Sequence, residues 1–137
     1  MRALKINHLA VFVIVVLGQL IPMGWYGLFA QKWMSLNKLT MDTIEANQSA
    51  TPYIVSIIAS VILAYILAWL FVRMKIESPM DGLVTGLAIG FGFTFMPTMV
   101  HNFFSFRPYE LTWIDGGANL IIYAVAGLIL GSWRKYA

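Results

Sequence analysis

Four long apolar runs, separated by short polar stretches, organise this chain. They cover residues 9–30, 53–72, 82–104 and 111–133. Each has about the 20 residues that an α-helix needs to cross a hydrocarbon core about 30 Å thick. They lack the strict alternation of barrel strands and are about twice as long. In lipid a backbone must satisfy its own hydrogen bonds. The pattern therefore predicts an all-α integral membrane bundle of four transmembrane helices, one unit over residues 1–137. Only the loop 31–52 is sizeable, and Thr40 is placed there to cap a short interfacial helix. Arg2 and Lys5 precede the first run as they would a signal peptide. That run continues through Pro22 to Trp25 and Tyr26 with no small-x-small cleavage site, so it reads as a retained span.

Composition agrees with lipid as the solvent. The chain is 60% hydrophobic and 11% charged, against about 25% charged in an average soluble domain. It has no cysteine, which excludes disulfides, thiolate metal sites and cysteine nucleophiles. The net charge of +3 comes from residues at the ends of the apolar runs, not from a patch, so a nucleic-acid partner is excluded. Arg2, Lys5, Arg73, Lys75, Arg134 and Lys135 fall on one side of the bilayer, and Lys32, Lys38 and Arg107 on the other. The larger positive share predicts that both termini are cytoplasmic.

Small residues recur at helical spacing: Ser56, Ser60, Ala64 and Ala68 in the second run, Gly82, Gly86 and Gly90 in the third, Gly127 and Gly131 in the fourth. Such rows let backbones approach closely in lipid. They serve either as seams of a bundle or as seams for a homodimer or a partner membrane protein, and the sequence leaves both open. Pro22 and Pro97 each remove a backbone hydrogen bond and predict a kink. Gln19, Pro22, Tyr26 and Phe29 also match Thr94, Pro97, His101 and Phe104 at one constant offset. This suggests a parallel repeat of two helical hairpins.

At about 100° per residue, Gln19, Pro22 and Tyr26 share one face of the first helix. Gly90, Thr94, Pro97 and His101 fall in one arc of the third helix, with Asn102 and Arg107 just beyond. Asp115, Asn119 and Tyr123 succeed one another by a turn on the fourth. Intramembrane polar groups face inward, so these faces are expected to converge on a small polar pocket near the outer side. Trp25, Trp33 and Trp113 would form its aromatic rim.

Asp115 and His101 carry the chemistry in this reading, and Arg107 could pair with Asp115. Each also has a plain structural role available. Asp115 could cap the fourth helix, His101 could bind the loop, Arg107 could snorkel, and Gln19 could be an interhelical contact.

No cofactor and no metal are expected. His8 and His101 lie on opposite sides, so only His101, Asp115 and Glu110 could meet, a weak site for zinc. There is no nucleotide loop and no serine elbow. The membrane-embedded carboxylate that a small multidrug exporter needs in its first helix is replaced by Gln19. One histidine and one aspartate without a nucleophile give little support to an enzyme.

The segment Gly24-Trp-Tyr-Gly27 followed by Gln31-Lys-Trp-Met34 resembles the first-helix signature of the bacterial membrane proteins grouped as domain of unknown function 1761. Phe106-Arg-Pro108, Trp113-Ile-Asp-Gly116 and the closing Gly127-Leu-Ile-Leu-Gly-Ser-Trp133 are similar to its second half, so the resemblance covers nearly the whole chain. It implies a small four-helix protein of a bacterial inner membrane, implies no activity, and points to Trp25, Tyr26, Trp33 and Asp115. This chain has Gly117 and Ala118 where many relatives carry an aromatic residue, which speaks against a stacking role there.

Two functions follow. The first is binding or transport of a small, partly apolar molecule, with Asp115 and His101 holding its polar end. The second is an accessory or scaffold subunit that docks a partner through the small-residue seams.

Overall fold

The computed structural model describes residues 3–137. Four helices are long and apolar enough to cross a membrane: His8–Leu36, Thr51–Met74, Pro79–Phe104 and Thr112–Ser132. The first is α1, one unbroken helix that passes through Pro22 and continues beyond Ala30 to Leu36. Asn7 caps it, accepting from the amides of Leu9 at 3.2 Å and Ala10 at 3.3 Å. The short α2 (Met41–Ala46) starts at Thr40, whose hydroxyl accepts from the Thr43 amide. The second span is α3 (Thr51–Met74), with Pro52 in its first turn.

The third and fourth spans are interrupted. α4 (Pro79–Gly90) passes through a π turn, Phe91–Phe95, into α5 (Met96–Phe104). A second π turn, Thr112–Gly116, opens the fourth span and leads into α6 (Gly117–Ser132). A π turn carries an extra residue, so it rotates whatever follows out of phase with a regular helix.

The ends of the chain meet. β1 (Leu4–Lys5) pairs antiparallel with β2 (Lys135–Tyr136), Leu4 opposite Tyr136. Asn7 also donates to the Trp133 carbonyl at 3.1 Å. Lys5, Arg134 and Lys135 gather there beside Phe71, Val72 and Ile76 at the C-terminal end of α3. Arg2, assigned to the same side by charge, lies outside the described residues.

The small-residue rows close the bundle from within. A Cβ on Gly82 would strike the Gly127 carbonyl oxygen, and one on Gly127 would strike that of Gly82. One on Gly86 would meet the Tyr123 carbonyl, one on Gly131 the Ser78 carbonyl, and one on Gly90 the Tyr123 Cβ. These glycines bring α4 and α6 into backbone contact, so this row is an intramolecular seam. Ala10, Ile14, Ala64, Leu67, Ala68, Phe71, Ala126 and Leu130 form the core where α1, α3 and α6 meet nearest the termini. Towards the other end, residues 51–59 of α3 are exposed on every face. There α1 is held to α3 by the polar contacts of Gln19 with Ser56 and Ser60.

Candidate functional site

The nine pocket candidates separate into three places and do not form one cluster. Tyr26, Trp25 and Asp115 do converge, joined by Trp33. The Tyr26 hydroxyl donates to Asp115 Oδ1 at 2.5 Å, and the Trp33 indole N–H donates to the same oxygen at 3.2 Å. Tyr26 and Trp33 are about two turns apart on α1, their rings meeting edge to face. The Trp25 indole donates to the Ile114 carbonyl at 2.7 Å. The ring of Trp25 fills the space above Gly117, where a Cβ would lie 3.0 Å from it. The glycine that stands where an aromatic residue was expected is thus the seat for a tryptophan from α1.

Asp115 is not a helix cap. It sits within the second π turn, and neither that turn nor α6 has a side-chain cap. Its Oδ1 is saturated by α1. Its Oδ2 has no protein partner among the described residues and is not sealed from solvent.

Gln19 and Asn119 lie elsewhere. Gln19 Nε2 donates to Ser60 Oγ at 2.8 Å, and Ser56 Oγ donates to Gln19 Oε1 at 3.0 Å. Asn119 faces the same region, across a cavity it shares with Gly18, Pro22, Ser56 and Ser60.

The third-span candidates stand apart. Thr94 returns its hydroxyl to the Gly90 carbonyl at 2.5 Å. Asn102 is buried and donates to Thr112 Oγ1 at 3.0 Å, tying α5 to the second π turn. His101 is exposed beside Gly92, Met96, Pro97, Val100 and Phe104, on the outward face of α5, and does not join Asp115. The π turn before α5 is the physical reason: it shifts the phase of every later residue, so a face drawn at a regular 100° no longer points inward. Arg107 is exposed and makes no ion pair with Asp115; among the described residues the ion pair is Lys32–Glu110, at 3.3 Å.

That pair marks what the sequence reading missed. A groove of about 460 Å³ runs beside Trp25, Phe29, Lys32, Tyr109, Glu110 and Trp113. Trp25 packs on Phe29 at 4.8 Å between ring centres, and Trp113 packs edge-on against Phe95 at 5.3 Å. Phe29 and Lys32 follow Trp25 at helical spacing, a signal that becomes visible once α1 is extended past Ala30. The volume is in the range of small-molecule sites, and the lining is mostly aromatic with one cation and one anion.

Four apolar spans, paired termini and a glycine-sealed helix pair define a multi-pass α-helical membrane protein. A family model described as protein of unknown function (DUF1761) matches residues 9–131. The chain belongs to that family, as its motifs suggested. No curated protein and no solved structure matches it.

Proposed function

We propose that this protein binds a small, partly apolar molecule in the aromatic groove at the end of the bundle away from the termini. The ligand lies against Trp25, Phe29 and Trp113, and its polar end replaces one arm of the Lys32–Glu110 pair. The carrying observation is that this groove is preformed. Trp25 is fixed by its bond to Ile114, and α1 is locked to the second π turn by the bonds of Tyr26 and Trp33 to Asp115. A wall in which Trp25 is already held limits the ordering cost of binding. In this account Asp115 positions the groove, and Lys32 and Glu110 meet the ligand. Both are substantially exposed, with side chains 59% and 40% accessible. An ion pair of that kind contributes little to stability and is free to exchange partners.

The charge pattern supports cytoplasmic termini, which puts the groove on the outer face. The resemblance of the motifs supports the inner membrane of a bacterium. A thermal-unfolding screen of amphipathic cations, anions and zwitterions tests the function. A ligand at 100 times its Kd stabilises by about 2.7 kcal/mol. The expected result is a compound class that raises the midpoint of the natural protein but not of the variant lacking its charge partner, Lys32→Met for an anion and Glu110→Gln for a cation. A screen in which no class does so contradicts the proposal.

One observation favours the accessory-subunit reading. A Cβ on Gly24 or Gly27 would meet no atom within 4 Å, whereas the glycines between α4 and α6 are already filled. A partner helix would therefore dock on α1. Loss of a co-purifying protein in Gly24→Leu or Gly27→Leu is the result that reading expects, and unchanged assembly opposes it.

A further inference from the structure

Away from the aromatic groove, α1, α3 and α6 line a partly open cavity of about 200 Å³. Gly18 and Pro22 come from α1, Ser56 and Ser60 from α3, and Asn119 from α6. Ser60 Oγ accepts from Gln19, so its own proton is free to donate. Ser56 gives its proton to Gln19, so its lone pairs are free to accept. Among the described residues the Asn119 amide makes no side-chain hydrogen bond, and it offers two donors and one acceptor. Pro22 has no N–H, so the Gly18 carbonyl lacks its usual donor one turn on. The rest of the wall is apolar, with Ile14, Leu63 and Ile122, and no lining residue is charged.

We propose that this cavity is a second binding site, for a small uncharged molecule carrying both a hydrogen-bond donor and an acceptor, of the primary amide or short polyol class. Polar groups within an apolar span are costly when unpaired, and here several converge with complementary spare capacity. The space corresponds to roughly six or seven waters at about 30 Å³ each, enough for a solute of several heavy atoms. An ion would enter without a counter-charge, so selection against charge is built into the wall. Gln19 holds the two serines in place and need not touch the ligand.

The test is a titration of the full ¹⁵N-labelled chain in detergent micelles, reading the side-chain amide signals of Gln19 and Asn119 by NMR. Acetamide is the probe, with acetate and tetramethylammonium as charged counterparts of similar size. The expected result is a saturable shift with acetamide alone, and at least a tenfold loss of affinity, read at Gln19, in Asn119→Leu. If that variant does not fold, Ser60→Ala takes its place, with at least a threefold loss expected. Equal shifts from the ions, no saturable shift, or unchanged affinity in the variant that folds would overturn the proposal. So would water cross-peaks at Asn119 that acetamide does not displace.

Discussion

The Tyr26 hydroxyl and the Asp115 carboxylate meet at 2.5 Å, joining α1 to the second π turn across 89 residues of sequence. A second donor, the Trp33 indole, reaches the same oxygen. Interhelical hydrogen bonds in membranes average about 0.6 kcal/mol, with about 1.7 at the upper end, and bonds to charged groups are the stronger ones. Tyr26→Phe is therefore expected to destabilise the fold by about 1–2 kcal/mol, measured by denaturant titration in micelles. Asp115→Ala, which removes both bonds, should cost more. In a double-mutant cycle with Asp115→Ala, a coupling near zero would show that the contact is incidental.

The glycines of the third and fourth spans are not equivalent to those of the first. Gly86→Ala places a methyl against the Tyr123 backbone and should lower stability by about 1–3 kcal/mol, as overpacking does. Gly24→Ala has open space around it and should be neutral or gain up to about 1 kcal/mol from helix propensity. The comparison is made on thermal midpoints of the two purified variants. Equal losses would contradict the packing of α4 on α6.

Much of the fold is legible in the sequence because span length and hydropathy act locally. The Tyr26–Trp33–Asp115 group was also within reach, since α1 is regular and a 100° wheel places its residues correctly. His101 and Thr94 were misplaced because a π turn intervenes, and hydropathy carries no signal for an added residue. Lys32 and Glu110 were missed for another reason: charged residues at the ends of apolar runs read as membrane-edge chemistry, and only the tertiary fold shows them paired across a groove.

Phe106 sits at the turn after α5 with φ of 57° and is 96% exposed. A left-handed backbone at a bulky residue costs about 1–2 kcal/mol, and no buried contact offsets it. Phe106→Gly is expected to raise stability by about 1 kcal/mol by relieving it, on calorimetry in micelles. A loss of similar size would mean that the exposed ring is anchored in the lipid interface.

The chain has no cysteine, so single-cysteine labelling can establish its orientation. With a membrane-impermeant maleimide on intact cells, Lys38→Cys should react directly and Lys75→Cys only after permeabilisation. The reverse pattern would put the aromatic groove on the cytoplasmic side.

Lys32→Met should change stability by less than about 1 kcal/mol, because the pair it breaks is exposed. This makes it a clean probe of binding. Native mass spectrometry of the protein from mild detergent, with Lys32→Met, Glu110→Gln and Trp113→Ala beside the natural chain, addresses the central claim most directly. The expected result is a small bound mass on the natural protein that is lost from Trp113→Ala and from the one of Lys32→Met and Glu110→Gln that removes the partner of its polar end. A bound mass retained in all three, or none on the natural protein when amphipathic compounds are supplied in excess, would contradict it.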